Sequence, residues 1–273
     1  MRITYYGSII NIRGDEMKHK ILFFDVDGTI TNHEDGSIPS STKVAIRQLL
    51  DNGFQVVAAT GRPLSMCDEI AALGIHTFIT ANGAYVKHKD QVIHKIVLNP
   101  ETVRNFVNFA ATEQNALTFY SETIQMNAVQ HPDVLKALYE TLRLEKFPPE
   151  ITNAVYGETY LLNLFIDEND IHKYKAQFPH ITFNRWHPFI VNVLEEEVSK
   201  SVAIRKVLAY FGLNEGEAVA FGDGGNDVDM LELVDLGIAM GNASDKLKSI
   251  ADFVTEKSSE DGIGFALRKY EFI

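Results

Sequence analysis

The chain has 273 residues, 45% hydrophobic and 23% charged, an ordinary balance for a folded protein with room for one large domain or two smaller ones. Its formal net charge of −12 argues against non-specific binding to nucleic acid or to an anionic membrane surface. The single cysteine, Cys67, excludes an internal disulfide framework and fits a reducing, cytoplasmic setting, and no apolar run reaches the roughly 18 residues a membrane span needs.

Met1–Glu16 has mixed polarity and no signal-type apolar core. It reads either as a loosely held extension ahead of a natural start at Met17 or as a short edge strand, Ile3–Ile10. Ile21-Leu22-Phe23-Phe24 is too short for a helix and closes on a glycine turn, so it reads as a buried strand. That strand delivers two carboxylates to its end, in Asp25-Val26-Asp27-Gly28-Thr29. After a polar loop, Thr31–Ser37, the residues Pro39-Ser40-Ser41-Thr42 open a helix through Leu50, which Asn52-Gly53 ends. Gln55–Ala59 is a second strand, followed by Thr60-Gly61-Arg62-Pro63. Leu64–Leu73 reads as a helix with Cys67 as a small buried apolar residue. Thr77–Thr80 is a third strand, ending at Asn82-Gly83. Strands alternating with helices over short connections imply an α/β fold with a doubly wound parallel sheet and right-handed crossovers. Ligands bind such sheets outside the carboxyl ends of the strands, where Asp25, Thr60 and Asn82 fall.

The pattern then changes. A hairpin is expected over Ala84–Leu98, turning near Lys89-Asp90. Helices follow over Pro100–Thr112, over His131–Leu142 with His131 as cap, and around Asn169–Gln177. Strands fit Tyr160–Ile166 and Ile181–Asn184, and the aromatics of Phe109–Phe119 suit the core of a separate α+β domain. The α/β pattern returns at Phe189–Leu194 and continues through a helix, Val198–Phe211, and a strand, Ala218–Phe221. Next come the loop Gly222-Asp223-Gly224-Gly225-Asn226-Asp227, a helix Val228–Leu233, strands Gly237–Met240 and Phe253–Thr255, and a helix Ile263–Tyr270. Residues 17–83 and 189–273 are therefore expected to form one discontinuous α/β core, interrupted by an inserted α+β domain of residues 84–188.

The two acidic loops follow strands of what should be one sheet. Like charges so close raise each other's pKa unless a cation or a function holds them. Oxygen donors without histidine or cysteine select a hard cation, most simply Mg²⁺. In phosphoryl transfer Asp25 would attack phosphorus, and Asp27 would protonate the leaving oxygen and then activate water. The Thr60 hydroxyl with nearby amides would hold phosphoryl oxygens. Lys200, after the acidic run Glu195-Glu196-Glu197, is the best candidate for the required cation. A calcium loop does not fit, because Thr29, Ile30 and Gly36 stand at its fifth, sixth and twelfth positions. The nine histidines show no zinc-type spacing.

These motifs, in this order, resemble those of the haloacid dehalogenase superfamily, specifically its Cof-like phosphatases with a large α+β cap of type IIB. The nucleophile motif is Asp25-Val26-Asp27-Gly28-Thr29, the threonine motif Thr60-Gly61-Arg62, the lysine motif Lys200 within Val198-Ser199-Lys200-Ser201, and the acidic motif Gly222–Asp227. The inserted block lies where this family carries its cap. The resemblance implies Asp25 as nucleophile and metal ligand, and Asp27 as acid/base with its backbone carbonyl on Mg²⁺. It implies Asp223 as the third metal ligand, Asp227 as the carboxylate that orients metal-bound water, and Asn226 beside the phosphate and Lys200. Gly61 joins Thr60 at the phosphate. Aspartate at the second motif position favours phosphatase over dehalogenase chemistry. Ser201 departs from the glycine that relatives often have.

Arg62 and Asn82 are candidates for substrate contact, against an acidic surface partner and a turn respectively. Arg185 and His187, flanking the lone Trp186 where the inserted domain should end, are candidates too, against packing or a hinge. The function expected is Mg²⁺-dependent hydrolysis of small phosphorylated metabolites through an aspartyl phosphate, by a monomer or homodimer. Sugar phosphates come first, then nucleotide or cofactor phosphates. Two alternatives are a phosphomutase with a related cap and a non-catalytic phosphometabolite sensor, though a sensor has no need of Asp27 or Lys200.

Overall fold

The computed structural model describes residues 17–151 and 157–273. The expected extension Met1–Glu16, with its alternative strand, lies outside them. Chain contacts divide the protein into two units, Met1–Val57 with Leu213–Ile273, and Ala58–Gly212.

In the first unit, four consecutive apolar side chains leave β1 (Ile21–Asp25) no face for water, and it is buried throughout. It runs parallel to β11 (Ala218–Gly222), with Phe24 opposite Phe221 and their rings stacked 4.7 Å apart. β11 pairs in parallel with β12 (Leu236–Ala239), and β12 with β13 (Phe253–Val254). The helix α1 (Ser40–Asp51) buries Thr42, Ala45, Ile46 and Leu49, one stripe at helical spacing, and packs against α9 (Gly262–Lys269). The short α7 (Val228–Leu233) lies against β11 and β12. A further short helix, α8 (Asp245–Ile250), escapes the sequence pattern; Ser244 caps it by accepting from the Leu247 amide.

β2 (Gln55–Ala59) leads from the first unit into the second. Beyond it, β3 (Thr77–Thr80) pairs with β4 (Tyr85–His88), and β4 with β5 (Gln91–Lys95), all antiparallel, with the hairpin turn at Lys89. The expected helix Leu64–Leu73 is instead a tight turn, Leu64–Met66, and one helical turn, α2 (Asp68–Ala71). The Ser65 amide donates to the Glu122 carbonyl rather than along a helix, which breaks the run. Cys67 sits buried between the two pieces.

A second, five-stranded antiparallel sheet follows, in the order β7-β6-β8-β10-β9. Its strands are β6 (Ala116–Tyr120), β7 (Ile124–Met126), β8 (Leu161–Phe165), β9 (Ile181–His187) and β10 (Ile190–Glu195). Helices α3 (Pro100–Thr112) and α5 (Ile171–Gln177) cover one face through Phe106, Tyr174 and Phe178. α4 (Pro132–Leu142) packs Val134, Ala137 and Leu138 on the other face, against Ala116, Phe165 and Ile190. His131 caps α4 by accepting from the Asp133 amide.

The aromatics of Phe109–Phe119 do pack in the core of this part, Phe119 from β6, a strand buried on both faces and therefore without alternation. One expectation changes here. The segment Phe189–Leu194 does not resume the parallel pattern: β10 returns directly from β9 and pairs antiparallel with β8 and β9. The expected boundaries at 83/84 and 188/189 thus fall inside the second unit. The helix α6 (Lys200–Phe211) packs on β3, β4 and β5, which keeps those strands with the unit. The architecture is α/β, a parallel sheet joined to an inserted α+β part. No helix among the described residues is long and apolar enough to cross a membrane.

Candidate functional site

The register of β1 and β11 sets Phe24 against Phe221, so the loops that follow both strands leave the sheet side by side. Carboxylate oxygens of Asp25, Asp223 and Asp227 lie within 4.8 Å of one another. Asp25 is only 6% exposed, at the last position of β1. Carboxylates taken out of water need a compensating charge, so a buried acidic group of this kind suits a cation.

The chain around the group is built to keep it in place. Gly28 has φ +88°, and a Cβ there would lie 2.3 Å from Asp223 Oδ2. Only glycine allows both the turn and that approach. The Thr29 hydroxyl donates to Asp223 Oδ1 at 2.8 Å. Asn242 Nδ2 donates to the Gly28 carbonyl at 2.9 Å and to Asp223 Oδ2 at 3.1 Å, and Asn242 Oδ1 accepts from the Ser258 amide at 2.9 Å. The Ser258 hydroxyl in turn accepts from the His33 amide. Asp227 turns inward: its Oδ2 accepts from the Asp223 amide at 3.0 Å and the Gly224 amide at 2.8 Å. A Cβ on Gly222 would lie 2.6 Å from Asp227 Cβ, so the loop closes only with glycine there. Asp27 is exposed, one residue before the Gly28 turn, and its side chain is outside the carboxylate group. Asn226 sits in the short turn Gly225–Asp227, against Gly224.

The second unit gathers a different set of predicted residues. Thr60 is fully buried and its hydroxyl accepts from the Arg62 amide at 3.0 Å, which leaves its own proton to donate. The Asn82 amide donates to the Thr60 carbonyl at 3.1 Å, and a Cβ on Gly61 would stand 3.1 Å from Asn82 Oδ1. Asn82 itself adopts φ +56°, a left-handed conformation that asparagine tolerates. Gly83, with φ +107°, lets the chain pass so close that a Cβ would lie 2.2 Å from the Ser199 carbonyl oxygen. The loops carrying Thr60, Asn82 and Lys200 therefore converge. Ser199 caps α6 by accepting from Val202, which places Lys200 in the first turn, only 1% exposed. A buried ammonium persists only with anionic or polar partners.

The remaining predicted residues are tied locally. Arg62 Nη1 donates to the Met66 carbonyl and meets Glu69 at 3.3 Å. Arg185 Nη1 donates to the carbonyls of Ile166 at 3.1 Å and Pro188 at 2.7 Å, bracing the β9–β10 turn. His187 accepts from the Phe189 amide through Nδ1 and meets Glu140 at 3.3 Å through Nε2.

Three groups were not singled out from sequence. Thr29 lies inside the nucleophile motif. Asn242 follows the strand Leu236–Ala239, so the rule that ligands gather at carboxyl ends would have found it. The third is a cluster between β4 and the β6–β7 turn. Tyr85 donates to Glu122 at 2.6 Å, Lys87 donates to the same carboxylate at 2.9 Å, and Tyr85 stacks on Tyr160 at 4.7 Å. Burial first, then Glu122, holds the Tyr85 phenol above its ordinary range. The Tyr85 hydrogen bond first, then Lys87, holds Glu122 below its own.

A family model described as haloacid dehalogenase-like hydrolase matches residues 22–267. The Bacillus subtilis (strain 168) protein named "Putative phosphatase YkrA" is 38% identical over 257 residues, 93% of this chain and 98% of that protein. The 5-amino-6-(5-phospho-D-ribitylamino)uracil phosphatase YcsE of the same organism is 27% identical over 268 residues, covering 96% and 99% of the two chains. Among solved structures, the subclass IIB sugar phosphatase BT4131 superposes with a TM-score of 0.81 at 32% identity, over 93% of this chain and all of that one.

Proposed function

Because the chain belongs to the haloacid dehalogenase-like hydrolases, in the Cof-like branch its motifs resemble, we propose that it is a cation-dependent phosphomonoesterase of small cytoplasmic metabolites. Sugar phosphates are the first substrate class, supported by the likeness to the sugar phosphatase BT4131. The observation that carries the reading is the grouping of Asp25, Asp223 and Asp227 within 4.8 Å at the ends of adjacent parallel strands.

The donor set is all oxygen and lies in a glycine-lined cradle, and it fits a hard divalent ion, most simply Mg²⁺. Asp25 and Asp223 would hold it, with the Asp27 carbonyl as the third protein donor and Asp227 behind them. When bound, the ion offsets the negative charge of nucleophile and phosphoryl group, which would otherwise repel.

The chain's own groups do the rest. An Asp25 carboxylate oxygen attacks phosphorus, the ester P–O bond breaks, and Asp27 gives its proton to the departing alkoxide. Asp27 then takes a proton from water, the water oxygen attacks phosphorus, and the bond to Asp25 breaks to release phosphate. Exposure of Asp27 fits a group that must exchange protons twice per turnover. The Thr60 proton and the Lys200 ammonium are assigned to phosphoryl oxygens, on the strength of motif order and of their convergence with Asn82 within one unit. Asn242 and Thr29 hold Asp223 in its orientation.

The test is phosphate release from a panel of phosphorylated metabolites with and without Mg²⁺. Release that needs Mg²⁺ and is lost in Asp25→Asn is expected. Release that survives Asp25→Asn overturns the assignment.

A further inference from the structure

The turn between β6 and β7 is held by the chain that carries Thr60 and Asn82. Glu122, in that turn, collects donors from two separate segments. The Ser65 amide, shortly after Thr60-Gly61-Arg62, donates to the Glu122 carbonyl at 2.8 Å. Tyr85, shortly after Asn82, donates its hydroxyl to Glu122 Oε1 at 2.6 Å, and Lys87 Nζ donates to Oε2 at 2.9 Å.

The two segments are also bonded to each other. The Thr60 amide donates to the Ile79 carbonyl at 2.8 Å, the Ala81 amide to the Arg62 carbonyl at 3.1 Å, and the Asn82 amide to the Thr60 carbonyl at 3.1 Å. Those bonds fix the loops to each other, and the Glu122 bonds fix the pair to the five-stranded sheet. The connection is stiff. Tyr85 is only 1% exposed, its ring stacks on Tyr160, and the same apolar cluster holds Ala81 and Ala84 on either side of Asn82. Burial, and then the Glu122 bond, raise the Tyr85 phenol above its ordinary range, so it remains a donor.

A glutamate in a hairpin turn ordinarily keeps its charge in water. Here both carboxylate oxygens exchange water for protein donors, a buried phenol and a lysine whose side chain is 22% exposed. An ion pair this close to the surface adds little stability. What the bonds add is direction, because one residue triangulates two loops that belong to the proposed phosphate site.

We propose that Glu122 is a positioning residue for phosphate binding, holding the Thr60 and Asn82 loops against the five-stranded sheet through Ser65, Tyr85 and Lys87. The inference rests on the phosphatase reading, which assigns the Thr60 proton to a phosphoryl oxygen, and adds to it a residue that touches no substrate.

The test is isothermal titration with inorganic phosphate in the presence of Mg²⁺, on the unaltered protein, Glu122→Ala and Glu122→Gln. Glu122→Ala should weaken phosphate binding about five- to tenfold, short of the roughly hundredfold that a misplacement of about 1 Å can cost. Glu122→Gln keeps an acceptor for Tyr85 and should fall between the other two. In turnover of p-nitrophenyl phosphate the same factor should appear in KM, with kcat within about twofold, because ground state and transition state lose the same contact. Glu113→Ala is the control. It removes a comparable ion pair, to Lys173 at 2.8 Å, in the same unit, and should lower the melting temperature without changing phosphate affinity.

Phosphate affinity within about twofold of the unaltered protein's in Glu122→Ala, or an equal loss in Glu113→Ala, overturns the role. Should Glu122→Ala fail to fold, Lys87→Met decides in its place. It leaves the Tyr85 bond intact and must weaken phosphate at least about threefold, and no change overturns the role. If the unaltered protein binds phosphate but hydrolyses no ester, the phosphatase reading fails and Glu122 is still judged by phosphate affinity. If it hydrolyses esters but holds free phosphate too weakly to titrate, KM decides by the same factor. If it does neither, both readings fall.

Discussion

Removal of the Asn242 side chain probes how the acidic centre is held together. Asn242 Nδ2 bridges the Gly28 carbonyl at 2.9 Å and Asp223 Oδ2 at 3.1 Å, and Oδ1 accepts from Ser258 at 2.9 Å. In Asn242→Ala one charge-assisted bond and two neutral ones disappear. A bond to a charged group is worth about 1.5–3 kcal/mol and a neutral one about 1 kcal/mol. Asn242 is half-buried, so water replaces part of what is lost. A net destabilisation of about 2–3 kcal/mol follows, or a fall in melting temperature on the order of 5–10 °C for a chain of this size. Asp223 keeps the Thr29 hydroxyl but loses its second tether, so Mg²⁺ affinity should fall about tenfold, the low end for a group that orients a ligand. Differential scanning calorimetry reads the first effect and isothermal titration with Mg²⁺ the second. A melting temperature within about 2 °C of the unaltered protein, together with unchanged Mg²⁺ affinity, would refute the bridge.

Gly28 and Gly53 share nearly the same backbone, φ +88° and +90°, but a Cβ meets Asp223 at 2.3 Å in one case and nothing within 4 Å in the other. Gly53→Ala should therefore cost about 1 kcal/mol of stability and no activity, while Gly28→Ala should also abolish Mg²⁺-dependent phosphate release; equal effects of the two on turnover would sink the steric argument. The lowered Glu122 titration gives a pH prediction. A carboxyl held below its ordinary value adds stability that is complete above that value and is lost as pH falls through the lowered one. The melting-temperature gap between the unaltered protein and Glu122→Gln should be constant near neutrality and close only in acid; a gap that widens in acid would contradict the contacts with Tyr85 and Lys87. Gly83→Ala, whose Cβ would meet the Ser199 carbonyl at 2.2 Å, should displace the start of α6 and lower phosphate affinity, read as a rise in KM; an unchanged KM would detach Lys200 from substrate binding.

Much of this was legible in the sequence because local rules and tertiary structure agree. Ile21–Phe24 could only be a buried strand, and two such strands ending in acidic, glycine-rich loops bring carboxylates together once they pair in parallel. Gln55–Ala59, Pro100–Thr112 and Val228–Leu233 fall within the elements expected of them. What escaped depends on distant contacts. The helix read over Leu64–Leu73 is broken because Ser65 is claimed by Glu122, some 57 positions away. The strand Ile190–Glu195 has the apolar content of a core strand, yet the tight turn after His187 commits it to β9. Strand β6 shows no alternation because both of its faces are covered. Asp227 lies within the same 4.8 Å group as Asp25 and Asp223, the convergence expected of two acidic loops on neighbouring strands. Asn242, three residues past the strand Leu236–Ala239, was within reach of the rule that ligands gather at the carboxyl ends of strands.

The central claim is that Asp25 is the nucleophile of a phosphomonoesterase, and rapid acid quench of the protein during turnover addresses it most directly. Digestion and mass spectrometry of the quenched chain should find one phosphoryl group on the peptide that carries Asp25, and none when Asp25→Asn is treated alike. A phosphoryl group on any other residue, or steady phosphate release by Asp25→Asn, would contradict the account.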